Sequence, residues 1–461
     1  MNQTASLNNF QRIFFYLFVA ASIICFLPFK PLAYFVPILF LFLLIIFTDR
    51  KKQMLSKLFK IAILLSIIYL LYFFIYEKVG FSSQNYLLSI LTLSSFLPLF
   101  VIEKKEIANL ALLKKMLSFL LYLFFFEGIL GIVQGIYGFI QNGFFDVNNG
   151  DTVQGTIFPH LRTDNTLSNP MFAISMVLIF IGLLVYFLYF KEKGLWKVCV
   201  GLVAIIMASV VHAIIFLAIA IFFAFLLTKP NLEVFGSKRK KYRFYVGLSV
   251  IIVIFTTYYF VGNNFKEIPI IFNQLVNEQV PRAEIILNVL QDIPKEFPVA
   301  RWIGLGPGQF SSRASLIGSG IYIGGFYTPS SIKFLHPDMP LAVREYLYPL
   351  IKGATGITWY TSTFQPYFSL LAILAETGVI GLGLFLYFFL KIVTSAVKRA
   401  SGDPEKKILS FVFLTGAFFI FLLGFQENYY EMPQAIFIGA LILNVIYALI
   451  VSNDKEPKEG T

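Results

Sequence analysis

The stretch Pro31-Leu-Ala-Tyr-Phe-Val-Pro-Ile-Leu-Phe-Leu-Phe-Leu-Leu-Ile-Ile-Phe-Thr48, closed by Asp49-Arg50-Lys51-Lys52, decides the class of fold. It is apolar for long enough to cross a hydrocarbon core of about 30 Å as a helix. It ends in a basic cluster of the kind that marks the cytoplasmic end of a membrane span. The same pairing of apolar run and short basic loop recurs along the chain. Apolar residues are 58% of the 461, charged residues only 13%, and mean hydropathy is +0.77. A soluble domain carries about a quarter charged residues, so an all-α polytopic membrane protein is expected.

Outward from that stretch, about twelve transmembrane helices are expected, near residues 11–28, 31–48, 58–76, 85–102, 115–138, 169–190, 196–210, 212–228, 244–262, 366–391, 408–425 and 434–452. The first apolar run reads as a retained helix, because no small-residue cleavage site precedes Pro28 and another span follows at once. Residues 196–228 are too long for one upright helix and just long enough for two short ones, divided near Val211-His212. Charge tests this count. Basic residues cluster at Arg50-Lys51-Lys52, Lys104-Lys105 with Lys114-Lys115, Lys191 with Lys193, Lys238-Arg239-Lys240-Lys241, and Lys398-Arg399 with Lys406-Lys407. With both termini in the cytoplasm, all of these fall on the cytoplasmic side. Residues 1–461 then form a single integral-membrane domain. Two polar loops lie outside the cytoplasm: a shorter one at 138–168 and a large one at 263–365, with short helices of its own.

The net charge of +12 is spread through short loops between apolar runs. It is therefore a topology signal, and the expected partner is the lipid bilayer, not nucleic acid. Cys25 and Cys199 both fall within expected spans, which implies neither a disulfide framework nor a metal site. Five of the ten arginines (Arg162, Arg282, Arg301, Arg313 and Arg344) fall on the outer side. Arginine's planar fork suits phosphate oxygens.

Several motifs could carry chemistry. Asn169 as N-cap with Pro170 at the first helical position starts a span, which puts Arg162 at outer headgroup depth. By itself Arg162 reads as an interfacial arginine touching a lipid phosphate or Asp164. Pro281 opens a helix with Arg282 in its first turn, where the dipole disfavours a cation unless an anion shares the site. A phosphate seat and an ion pair with Glu278 or Glu284 are equally compatible with this. Gly304-Leu-Gly-Pro-Gly-Gln-Phe310 is neither a Walker loop nor a dinucleotide fingerprint. Gly304, Gly306 and Gly308 mean a tight turn with exposed backbone amides. In Leu374-Ala-Glu-Thr-Gly-Val-Ile-Gly-Leu-Gly383, Glu376 is an ionisable group at or inside the membrane, functional by default. Gly378, Gly381 and Gly383 would let a neighbouring helix come close. Glu127 and Gln134 share a helical face and suit structural pairing. His212 suits a satisfied site between helices, while His336 lies in the outer loop beside Asp338.

An arginine before an Asn-Pro helix start, a second arginine before a Gly-x-Gly-Pro-Gly-x-Phe turn, a long outer loop and an Ala-Glu-x-Gly-x-x-Gly helix together resemble the O-antigen ligase and O-antigen polymerase family of bacterial membrane glycosyltransferases. The resemblance covers roughly residues 158–389. It implies a donor oligosaccharide on undecaprenyl pyrophosphate, transferred outside the bacterial cytoplasmic (inner) membrane to an acceptor glycan. It implies that Arg162 and Arg282 bind the pyrophosphate, and Arg313, in the same outer loop as Arg282, is a further candidate for that role. Other polysaccharide-assembly proteins are the partners it suggests, and no cofactor or metal is expected. Where the family often keeps a His-Asn pair about ten residues before the glutamate, this chain has Tyr367-Phe368. Either His336 serves as base from further back, with Glu376 the other catalytic candidate, or no base is essential. That departure favours a polymerase of O-antigen, capsule or exopolysaccharide over a ligase acting on lipid A-core. A transporter or lipid-linked sugar flippase is the rival of another class. It accounts poorly for a large outer loop, and the chain shows no internal repeat of the kind many transporters carry.

Overall fold

A computed structural model describes residues 7–28, 30–142, 152–157, 170–230, 269, 273, 280–320, 339–353 and 365–452. Among them are helices and no strand. Eleven apolar helices carry the fold: α1 (Asn9–Cys25), α2 (Lys30–Phe47), α3 (Lys51–Tyr76), α4 (Ser83–Val101, with a 3-10 turn at Leu93–Phe96), α5 (Leu110–Asn142), α6 (Met171–Leu188), α7 (Leu195–Met207), α8 (Val211–Thr228), α9 (Ser369–Ala400), α10 (Pro404–Leu423) and α11 (Pro433–Val451). Eight are long and apolar enough to cross a membrane; α1, α2 and α7 are shorter. The span expected at 244–262 lies outside the described residues.

The helix ends follow local chemistry. Asn8 and Gln11 form a reciprocal capping box on α1, and Asp403 caps α10 with Pro404 in its first turn. The apolar stretch 196–228 divides where expected, at 208–210, with Ser209 in the left-handed region (φ 56°). Several boundaries differ from expectation. α3 begins at Lys51, α5 at Leu110 and α10 at Pro404, and α9 runs on to Ala400. Lys51-Lys52, Lys114-Lys115, Lys398-Arg399 and Lys406-Lys407, expected in loops, therefore lie in terminal helical turns, where nothing in these basic residues opposes helix formation.

α6 and α11 are the centre of the bundle, buried over 78% and 83% of their apolar windows, whereas α3 is buried over 6%. An apolar helix so exposed is a lipid-facing one. The polar contacts sort into two sets. One holds Thr156 Oγ1 donating to Phe26 O (2.7 Å), Gln434 Nε2 to Leu27 O (3.2 Å) and Tyr76 OH to Gly304 O (2.8 Å). The other holds Arg50–Glu106 (3.3 Å), Lys114–Glu192 (2.6 Å) and Tyr189 OH on Glu405 (3.0 Å). Between α8 and α9 the described residues form short helices, including Pro281–Leu287, Ala300–Ile303 and Arg313–Gly318. These join the first set.

Candidate functional site

The site is built around a break in α9. Gly378 leaves the helical region there (φ 65°, ψ −171°), and a broken helix leaves carbonyls without donors. The glycine turn supplies them. Leu305 N–H donates to Ala375 O and Gly306 N–H to Glu376 O, both at 2.9 Å. The two backbones approach so closely that a Cβ on Gly304 would lie 2.2 Å from the Glu376 carbonyl carbon. One on Gly378 would lie 2.3 Å from Trp302 C and O. Gly381 and Gly383 do not mediate such an approach. A Cβ on Gly381 would meet its own helix's Thr377, and one on Gly383 nothing within 4 Å.

The buried Glu376 carboxylate finishes the joint. It accepts from Gly308 N–H (2.6 Å), Phe310 N–H (3.1 Å) and Ser312 N–H (3.1 Å). The amides expected to be exposed are thus consumed inside the protein, so this turn is not a phosphate cradle. Glu376 instead fixes Ser312, whose hydroxyl caps the helix Arg313–Gly318 by accepting from Ser315 N–H (3.2 Å). The geometry makes Glu376 a positioning group for Arg313. Gln309 ties the same turn to the start of α4, accepting from Ser82 N–H (2.8 Å) and donating to Ser82 O (2.9 Å).

Both described arginines of the expected site are buried, Arg282 to 7% exposure and Arg313 to 3%. Arg282 Nε donates to Gln365 O (3.2 Å), Nη1 to Phe425 O (3.4 Å) and Nη2 to Gln426 O. Its guanidinium lies 4.8 Å from the centre of the Phe368 ring, a cation–π contact. Phe368 stands in the register where the resembled family keeps its His-Asn pair, and here it cradles an arginine. Of the two ion pairs expected for Arg282, the one with Glu278 lies outside the described residues, and the one with Glu284 does not form. The carboxylate acting on Arg282 is Glu427. Burial lowers the guanidinium to about 10, while Glu427, Tyr429 and Tyr367 push it back up, so it stays cationic at neutral pH. Arg313 Nη1 also faces Glu427 Oε1, at 3.7 Å, and its Nε donates to Tyr34 OH.

Glu427 belongs to a segment that sequence reasoning passed over, Gln426-Glu-Asn-Tyr-Tyr-Glu431, between α10 and α11. All six residues are buried. Glu431 accepts from Thr92 Oγ1 (2.7 Å), Arg313 N–H (2.5 Å) and Ala314 N–H (3.4 Å). Burial raises its pKa, opposed by those hydrogen bonds and by the Arg313 charge. Tyr429 reaches His212 on α8 (3.2 Å), so His212 is satisfied between helices as expected. The available signal was two glutamates in a short polar insert between apolar runs, on the side assigned to Arg282.

Arg162 and His336 lie outside the described residues. The described chain resumes at Pro170, shortly after Arg162, and Met171 lines a cavity with Arg313, Tyr34, Met432 and Gln434. Its volume, about 10 Å³, is room for roughly one water. Glu127 and Gln134 lie apart from this site. They bind the backbone of 154–156, Glu127 accepting from Thr156 N–H (2.8 Å) and Gln134 from Gln154 N–H (2.8 Å). Structural pairing describes them. Comparison with protein-family models, curated proteins and solved structures found no match.

Proposed function

We propose that this chain is a membrane glycosyltransferase, moving an oligosaccharide from undecaprenyl pyrophosphate onto an acceptor glycan outside the bacterial cytoplasmic membrane. A polysaccharide polymerase is the form we favour. The observation that carries the reading is that Arg282 and Arg313 are both buried against one short segment, Arg282 on the Phe425 and Gln426 carbonyls and Arg313 facing the Glu427 carboxylate at 3.7 Å, at one end of a bundle of apolar helices. Two buried guanidinium groups held by fixed backbone and side-chain partners suit the developing charge of a pyrophosphate leaving group. Fixed arginines then serve where a metal ion serves in other transferases. The donor arrives already activated and held in the membrane, so no nucleotide-binding element is needed. The two sets of polar contacts support the expected topology, since residues assigned outside meet one another and residues assigned to the cytoplasm meet one another.

In this reading Arg162, Arg282 and Arg313 hold the pyrophosphate, with Glu376 and the turn of Gly304, Gly306 and Gly308 fixing Arg313. The test is polymer synthesis by membranes containing the protein, supplied with lipid-linked oligosaccharide extracted from cells lacking it. Lengthening of the saccharide is the expected result. Transport of the lipid-linked sugar without any new glycosidic bond would overturn the proposal.

A further inference from the structure

Resting on that reading, we infer that Glu427 is the general base of the transfer and that its proton uptake strengthens the arginine clamp. Glu427 is buried, lies 3.7 Å from Arg313 Nη1 and directly follows Gln426, whose carbonyl accepts from Arg282 Nη2, and is held outside the apolar helices by its own backbone. Its carbonyl accepts from Ser369 N–H (3.3 Å), Ser369 Oγ (3.1 Å) and Tyr429 N–H (2.8 Å). Next to Glu427, Asn428 Oδ1 and Ser311 Oγ are buried without a hydrogen-bond partner among the described residues, linked through Asn428 Nδ2 donating to Ser311 O (2.8 Å). Buried polar atoms are seldom left so, and these two can orient an incoming sugar hydroxyl.

An oxygen lone pair of the acceptor hydroxyl forms the new bond to the anomeric carbon as the bond from that carbon to the pyrophosphate oxygen breaks. The bonding pair leaves with the pyrophosphate, which gains one negative charge. The hydroxyl proton passes to the Glu427 carboxylate, which loses one. Before reaction Glu427 neutralises part of the charge of Arg282 and Arg313. Once protonated it releases that charge to the leaving group at the moment the leaving group needs it. An interaction stronger in the transition state than in the ground state is the kind that raises kcat. The charged and titratable groups around Glu427 are Arg313 (3.7 Å), Arg282, Glu431 on the same connection, and Tyr429 with His212 behind it. Glu376 is a further neighbour of Glu431.

The full-length protein in proteoliposomes, with lipid-linked oligosaccharide extracted from cells lacking it, gives the test. Inorganic pyrophosphate serves as competitor. Glu427→Gln should lower kcat by about 10²-fold or more, the scale of general acid–base catalysis. It should also remove the acid limb of the kcat–pH profile and leave pyrophosphate inhibition unchanged or tighter. Near-normal kcat would overturn the inference while the transferase reading stands. So would a loss of pyrophosphate inhibition in parallel with kcat, which means a scaffold role. If Glu427→Gln fails to reach the membrane, Glu427→Asp decides: kcat down about ten-fold or more with inhibition unchanged supports the base, and unchanged kcat overturns it. A wild-type protein that extends no saccharide overturns the functional reading and this inference with it.

Discussion

Arg282 combines burial, three carbonyl acceptors and an aromatic face, and each of these needs a planar guanidinium. A lysine ammonium is a point charge that cannot reach Gln365, Phe425 and Gln426 carbonyls together or lie flat on Phe368. Arg282→Lys and Arg313→Lys should therefore each lower polymer output by about ten- to a hundred-fold, the scale of one lost hydrogen bond to a charged group, with membrane abundance intact. Arg162→Lys belongs with them if it shares the pyrophosphate. An Arg162→Lys, Arg282→Lys double variant should be little worse than the worse single one, because residues acting as a unit are non-additive. Full activity of that double variant would end the clamp. His336→Ala should leave turnover close to normal if Glu427 takes the proton; a fall of about 10²-fold would return the role to His336. Glu376→Gln tests positioning. Glutamine offers one acceptor oxygen and an NH₂ to three amide donors, leaving at least one buried donor unpaired at about 1–3 kcal/mol. Its melting temperature in detergent should drop together with activity. Lost kcat at unchanged melting temperature would mean that Glu376 acts in the chemistry itself.

At the scale of elements, the break in α9 and the glycine turn are two halves of one joint. Neither is stable alone, since the broken helix has bare carbonyls and the turn has bare amides. Glycine is required where the backbones meet, because Gly304, Gly306, Gly308 and Gly378 all have positive φ. Gly304→Ala puts a methyl into the Glu376 backbone and Gly308→Ala puts one 2.2 Å from Asn85 O. Both should abolish transfer and reduce the amount of folded protein recovered. Gly383→Ala is the control: its Cβ meets nothing within 4 Å, and alanine is the better helix former by about 1 kcal/mol. Equal behaviour of Gly304→Ala and Gly383→Ala, read by size-exclusion profile and polymer output, would contradict the joint.

For the whole molecule, the apolar helices enclose a core on α6 and α11 and turn α3 almost wholly outward. The connections from α10 to α11 and from α8 to α9 supply the site. A reporter active only outside the cytoplasm should be active when fused after residue 150 or 300 and silent after 235 or 400. Activity at 235 would remove the span expected at 244–262 and with it the outer placement of Arg282.

The sequence by itself determined the membrane class, the apolar runs and the division near Val211. Each of these is written in a local window of residues, through run length, caps and charge. It also singled out Arg282, Arg313, Glu376 and the three glycines, because arginine, glycine and an intramembrane carboxylate are uncommon in such settings. Only the tertiary structure decided what those residues do. The Glu376–Gly308 contact spans 68 residues of sequence and the Arg282–Gln426 contact 144. Nothing local reveals that the turn's amides are spent on a glutamate, or that Phe368 faces a guanidinium. Glu427 and Glu431 stayed hidden for the same reason. In a short polar connection a glutamate reads as solvated, and it becomes a buried partner of Arg313, beside the carbonyls that hold Arg282, only when the helices close over it.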